Sequence, residues 1–289
     1  MIQLIASDMD GTLLGKKMEV LQENVEAIRF AEEHGVKFVI ATGRNLSEAR
    51  PPLEDVGITC PIIAVNGAQA FDENRNELFT IEINKDSASE IVKTLEDDQV
   101  YFEICADGHV YSNSPAQRIE NMAMNLANMM PHLTFKMALS MATSQLDVLP
   151  IKYIDDYQRL LEDDTARILK FIAFSHEEAK VLAPIRKNVE KLPDLIVTSS
   201  YPNNIEINHQ YAQKGIAVKR IADKMGIPME NVMTIGDNLN DVSMLGVAGV
   251  SFAMGNAEMD VKNVAKYVTD VHSEAGVGKA IRRAIEENL

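Results

Sequence analysis

Residues 7–15 read SDMDGTLLG. Two aspartates, Asp8 and Asp10, stand two apart, after the apolar run Ile2–Ile5 and before Gly11-Thr12. An acidic pair at the end of a buried strand is costly unless something compensates its charge, so the place of this stretch decides how the chain reads. Ile2–Ser7 is a short apolar strand. Leu21, Val25 and Ile28 recur at helical spacing, and Gly35 suits the end of that helix. VKFVIA (36–41) and PIIAV (61–65) are further strands, the first polar only at Lys37, as in a parallel sheet covered on both faces. This βαβαβ rhythm predicts an α/β fold with a doubly wound, Rossmann-like parallel sheet.

The pattern changes in the middle. ELFTIEI (77–83) and VYFEI (100–104) read as mixed-face strands. ADGH (106–109) carries the Asp-Gly hairpin signal, and Ser114-Pro115 suits the start of a helix running to about Met130. ARILKFIAFS (166–175) is another strand, and LIVTSS (195–200) and NNIEIN (203–208) read as a hairpin across Tyr201-Pro202. Pro184 interrupts the helical spacing of Val181, Leu182, Ile185 and Val189, so that helix kinks or starts late. The segment reads as an α+β insert with largely antiparallel strands. The alternating rhythm returns near 214. Lys214-Gly215 opens a helix carrying Ile221 and Met225, and NVMTI (231–235), GVSFAM (249–254) and KYV (266–268) follow as short strands. The expected organisation is a core at 1–83 and 209–289 and an insert at 84–208. The length of 289 residues suits two domains of about 150 each.

Composition narrows the partners. The chain is 46% hydrophobic and 25% charged, with a net charge of −15. Such a surface repels nucleic acid and anionic lipid, and a phosphorylated ligand needs local positive charge or a metal. Cys60 and Cys105 form no CxxC pair. The segment MIQLIASD has neither the basic nor the long apolar region of a signal peptide, and no apolar run approaches the roughly 18 residues of a membrane span. The expectation is a soluble, cytoplasmic monomer or homodimer that binds neither nucleic acid nor membrane.

Four polar clusters fall where parallel strands end, the place where such sheets bind ligands. Asp8 and Asp10 follow the first strand, and Thr42-Gly43-Arg44 the second. Lys214 begins a helix after the insert, and GDNLND (236–241) follows NVMTI. The ordered set DMDGT, ATGR, KG and GDNLND, with AMGNA (253–257) beyond, resembles the haloacid dehalogenase-like (HAD) phosphatases over the whole chain. Within them it is similar to the Cof-type group, whose large α+β cap lies between the second and third motifs. TGR or KG alone would carry no weight.

The resemblance implies a Mg²⁺-dependent phosphatase of small phosphorylated metabolites, with sugar phosphates the favoured class. Asp8, the Asp10 carbonyl and Asp237 would hold Mg²⁺, a hard ion that takes oxygen ligands. Asp8 would attack phosphorus and form an aspartyl-phosphate, while Asp10 would give a proton to the leaving oxygen and later take one from water. Thr42, Lys214, Asn240 and the backbone N–H groups of Met9 and Gly43 would bind the phosphoryl oxygens. Asp241 would orient Lys214 or a bound water. Arg44 either binds substrate or pairs with an acid. The insert would act as a lid that excludes water and selects substrates.

Other readings stay open at this point. A phosphomutase would use the same aspartates without releasing phosphate, and a sugar-phosphate sensor would need neither acid. AGVGKA (275–280) lacks the Gly at 273 and the Ser or Thr at 280 of a P-loop and reads as a helix start. The dense methionines 122, 124, 129, 130, 137 and 141 suit either adaptable packing or a substrate-facing surface. His209 stands between the last strand of the insert and Lys214.

Overall fold

A computed structural model of the chain describes residues 1–130, 132–144, 151–177, 179–200 and 203–289. In chain order the strands are β1 (Leu4–Ser7), β2 (Lys37–Ala41), β3 (Ile62–Ala64), β4 (Gln69–Phe71), β5 (Glu77–Thr80), β6 (Tyr101–Ala106), β7 (His109–Ser112), β8 (Ile151–Tyr153), β9 (Ile168–Phe174), β10 (Leu195–Thr198), β11 (Asn204–His209), β12 (Val232–Gly236), β13 (Val250–Ala253) and β14 (Tyr267–Val268). β1 is buried along its whole length. It pairs in parallel with β12 and with β2, Leu4 lying opposite Val232 on one side and Lys37 on the other. The sheet runs β14-β13-β12-β1-β2-β3-β4-β5. Strand order reverses at β1, so the carboxyl ends of β1, β2 and β12 lie side by side at a topological switch point. The loops leaving those ends carry Asp8–Asp10, Thr42–Arg44 and Asp237–Asp241.

Side-chain alternation explains why these strands are apolar throughout. Leu4, Ala6, Val39, Ala41 and Ile63 pack with Ala217, Val218 and Ile221 of the helix Lys214–Lys224. Ile5, Phe38 and Ile40 alternate with them and are also buried. Burying each large aliphatic chain contributes about 1.5–3 kcal/mol. The helices Gln22–Glu33 and Gly276–Glu286 pack against each other. AGVGKA thus opens a packed helix.

The helix at 214 begins where it does because its first turn lies against another backbone. Gly215 N donates to Ser243 Oγ at 3.1 Å. A Cβ on Gly215 would stand 2.2 Å from the Ser243 carbonyl oxygen.

The chain divides into two compact units, Met1–Ile81 with Asn208–Leu289, and Glu82–Ile207. The second contains a sheet of order β10-β11-β9-β6-β7-β8. β6 and β7 pair antiparallel across Asp107-Gly108, both left-handed at φ 48° and 75°, the conformation that a two-residue hairpin demands. Phe102, Ile104, Phe171 and Ile205 form its core with Ile91, Leu95, Leu182 and Ile185 from two helices. Ser114 caps the helix Pro115–Met129, accepting from Gln117 N. The helix Ala179–Val189 carries Pro184 inside it. The turn expected at Tyr201-Pro202 lies outside the described residues. Met122 packs on the small cluster Ala123, Ala138 and Ala142, whereas Met137 and Met141 are exposed. Cys60 and Cys105 are both buried, and neither forms a disulfide among the described residues. No helix among the described residues is long and apolar enough to cross a membrane.

One expectation needs correction. ELFTIEI is not a single strand: β5 covers only Glu77–Thr80, and its partner is β4, which the sequence reading missed. Three residues are too few to display a period. β4 and β5 add an antiparallel edge to an otherwise parallel sheet, a common pattern in doubly wound folds.

Gly215→Ala forces the helix Lys214–Lys224 off the Ser243 backbone. Overpacking of this kind costs about 1–3 kcal/mol, and urea denaturation should show at least that loss.

Candidate active site

Asp8 closes β1, its N–H donating to the Ile235 carbonyl at 3.0 Å. The chain then turns through Met9–Leu13. Gly11 sits at φ +74°, and a Cβ there would stand 2.4 Å from Asp237 Oδ2. The missing side chain is what lets the first loop lie on the fourth motif. Thr12 Oγ1 completes that contact by donating to Asp237 Oδ1 at 2.6 Å.

Lys214 is fully buried. Its Nζ donates to Asp8 Oδ1 and to Asp241 Oδ1, each at 2.6 Å. Asp241 Oδ2 accepts from the N–H groups of Asp237 and Asn238, at 2.9 and 3.0 Å, which fixes the turn Leu239–Asp241. Asp8, Asp237 and Asp241 each present a carboxylate oxygen, and the three oxygens lie within 4.8 Å of one another.

Three carboxylates against one ammonium leave an excess of buried negative charge. Burial, and then the charge of Asp241, push the Asp8 pKa well above the usual carboxylate range, against the pull of Lys214. Burial and Asp241 likewise push Asp237 up to about 7, against the hydrogen bond from Thr12. Burial works against the charge on Lys214, but Asp241 and Asp8 outweigh it and raise its pKa. The cluster is therefore suited to take up protons or a cation. Its all-oxygen donor set, already gathered and partly desolvated, fits a hard divalent ion such as Mg²⁺.

Asp10 points elsewhere. Both of its carboxylate oxygens accept from Arg44, Oδ2 from Nε at 2.7 Å and Oδ1 from Nη2 at 2.6 Å. Of the two alternatives for Arg44, the structure shows pairing with an acid. Burial disfavours the Arg44 charge, but the bond to Asp10 outweighs it and raises the pKa. Arg44 Nη1 also donates to the Glu48 carbonyl at 3.2 Å.

Thr42 is buried at the end of β2, and its Oγ1 accepts from Arg44 N at 3.2 Å. Gly43 lies beside Asn66, whose Oδ1 would be 3.0 Å from a Cβ at 43. The same Oδ1 accepts from Asn240 Nδ2 at 3.3 Å. Asn240 Oδ1 is buried and has no hydrogen-bond partner among the described residues. Met9 is buried, with its carbonyl taken by Leu14 N. His209 closes β11, and its Nδ1 accepts from Tyr211 N at 3.1 Å.

Direct bonds thus join Asp8, Lys214 and Asp241 in one group, and Asp10 and Arg44 in another. Two residues had no role of their own in the sequence reading: Thr12 and Asn256. Asn256 Nδ2 donates to the Gly11 carbonyl at 2.9 Å, and its Oδ1 accepts from His272 N at 2.9 Å. Thr12 and Asn256 belong to DMDGT and AMGNA, so the motifs held them although their task did not show.

Buried carboxylates in want of a cation, beside a lysine and amide donors at a strand-end crevice, are the equipment of a hydrolase acting on phosphate esters. The chain belongs to the haloacid dehalogenase-like hydrolase family, whose model matches residues 5–281; it is a phosphatase of the Cof-type group. It is 32% identical to Phosphatase YwpJ of Bacillus subtilis over 286 residues, 98% of this chain and 100% of that one. It is 35% identical to the 5-amino-6-(5-phospho-D-ribitylamino)uracil phosphatase YcsE of the same organism, over 97% of this chain and 95% of that one. The solved structure of a haloacid dehalogenase-like hydrolase from B. subtilis superposes with a TM-score of 0.88 at 32% identity, covering 97% of this chain and 99% of that one.

The cluster sets a sign for pH dependence. Asp237, protonated below about 7 in the folded chain, ionises near pH 4 when unfolded. Its contribution to stability is full below that lower value and is lost as pH rises through about 7. Metal-stripped protein should therefore melt at lower temperature at pH 8 than at pH 5, and Asp237→Asn should reduce the difference.

Proposed function

We propose that the chain is a Mg²⁺-dependent phosphatase of small phosphorylated metabolites, polyol or sugar phosphates, working through an aspartyl-phosphate on Asp8. One observation carries the reading: Lys214 takes Asp8 Oδ1, while Oδ2 of the same carboxylate has no hydrogen-bond partner among the described residues. One oxygen is anchored and the other is available to attack.

Bound Mg²⁺ at Asp8, Asp237 and the Asp10 carbonyl supplies the charge compensation that lets a carboxylate meet a phosphate dianion. Lys214 holds Asp8 in place and faces the phosphoryl oxygens, joined by Thr42, the N–H groups of Met9 and Gly43, and the Asn240 amide. Asp241 keeps Lys214 aligned. Asp8 Oδ2 bonds to phosphorus as the ester P–O bond breaks, and Asp10 delivers a proton to the leaving oxygen. Water then attacks the same phosphorus, Asp10 takes its proton, and the Asp8–phosphorus bond breaks to release phosphate. Both Asp10 oxygens accept from Arg44. Asp10 can present a proton only after Arg44 frees at least one of them.

The substrate class draws support from a relative. YcsE is named for a substrate whose phosphate sits on a ribityl chain, an open polyol. The unit Glu82–Ile207 supplies the lid and the selection of the leaving group in this reading.

Asp8→Asn should abolish release of inorganic phosphate from polyol and sugar phosphates, by roughly 10³-fold or more, while leaving the melting temperature near that of the parent. Asp237→Ala should raise the Mg²⁺ concentration for half-maximal rate far more than the substrate KM. Substantial turnover by Asp8→Asn would overturn the reading, as would substrate consumption without free phosphate. Replacing 82–207 by a short Gly/Ser linker should retain phosphate binding and lose selectivity among esters; a chain so shortened that kept the parent's preferences would remove this role from the insert.

A further inference from the structure

Between β3 and β4 the chain makes three successive left-handed residues, Val65 at φ 50°, Asn66 at 56° and Gly67 at 99°. For a β-branched residue such as Val65 that conformation is a genuine outlier, and persistent strain of this kind marks a place that the surroundings force. The surroundings here are the elements that carry the phosphate-facing groups. Val65 N donates to the Arg44 carbonyl at 2.8 Å, and Asn66 N to the Thr42 carbonyl at 2.9 Å. Gly67 lies so near the Gln213 carbonyl oxygen that a Cβ would stand 2.6 Å from it, one residue before Lys214. Asn66 Oδ1 accepts from Asn240 Nδ2 at 3.3 Å. One three-residue turn therefore touches the loop at 42–44, the start of the helix at 214 and the amide at 240. Val65 and Asn66 are buried, so neither is shaped by solvent.

We propose that Asn66 is a positioning residue for phosphate binding. Its Oδ1 takes one hydrogen of the Asn240 amide and so holds that amide with its nitrogen toward Asn66 and its second hydrogen available to a phosphoryl oxygen. The inference rests on the reading of Asn240 as a phosphate contact. An amide not fixed at one end rotates, and its donor is then present only part of the time. The left-handed backbone is what brings the Asn66 side chain to this point beside Gly43, where any side chain at 43 would crowd it.

The test uses the full chain and inorganic phosphate as the probe, its affinity read by calorimetry in Mg²⁺. Asn66→Gly removes the side chain and accepts φ of 56° without strain, so the variant should fold, with a melting temperature near the parent's. It should bind phosphate about 10-fold more weakly or worse, the scale for loss of a group that orients a ligand-binding residue. Its KM should rise while the Mg²⁺ concentration for half-maximal rate stays unchanged; a general loosening would move both. Asn66→Gly combined with Asn240→Ala should be no weaker than Asn240→Ala alone within about twofold, because the two act through one donor. Unchanged phosphate affinity in Asn66→Gly, or losses that multiply in the double variant, would overturn the proposal. Phosphate binding by the parent without turnover would overturn the phosphatase reading and leave this one standing; a parent that does not bind phosphate would overturn both.

Discussion

A lysine with no exposed surface, held between two aspartates, is the constraint around which this fold is arranged. Lys214 reaches Asp8 and Asp241 at 2.6 Å each. A buried ammonium is tolerated only beside well-placed carboxylates; without them it would be an uncompensated charge in the interior. The partners come from the ends of β1 and β12, adjacent strands that are remote in sequence. The helix must begin at residue 214, its second residue must be a glycine, and the turn after β12 must put Asp241 beneath the lysine. Each requirement follows from the one before it.

Stability is not what this cluster provides. Asp8 and Asp237 crowd beside Asp241 although burial and the charge of Asp241 oppose their ionisation. A sequence selected only to fold would place apolar groups there. Local rules broken in this way, within a core that otherwise obeys them, mark a surface shaped for something that binds. Arg44 and Asp10 show the milder form of the same principle: charges paired with each other at 2.6 Å in a place where a ligand could compete for either.

Much of this was legible in the sequence, for physical reasons. Parallel strands covered on both faces are apolar throughout, so β1, β2, β3, β12 and β13 stand out as runs, and the polar residues that follow them mark the crevice. Asp-Gly at 107–108 and Ser-Pro at 114–115 are backbone instructions that need no context. What escaped had no period or composition to carry it. β4 is three residues long. Thr12 and Asn256 are ordinary polar residues in sequence, and only the close approach of loops remote in the chain, such as Gly11 onto Asp237, gives them partners. The pairing of Arg44 with Asp10 was one of two open alternatives, because sequence spacing does not say which of several charges a long side chain will reach.

The reversal of strand order at β1 has a consequence for how the chain is made. β1 precedes both of its partners in the chain and is the central strand of its sheet, with β2 on one flank and β12 on the other. β2 follows soon, but Val232–Gly236 comes only after the whole of Glu82–Ile207. At about 5–20 residues per second, some ten to forty-five seconds separate the two. Throughout that interval a strand that ends buried along its whole length has an open edge, a row of unpaired N–H and C=O groups of the kind that recruits other chains. The same insertion that separates Asp8 from Lys214 and Asp241 along the chain leaves the nascent protein with a strand edge that the finished one covers.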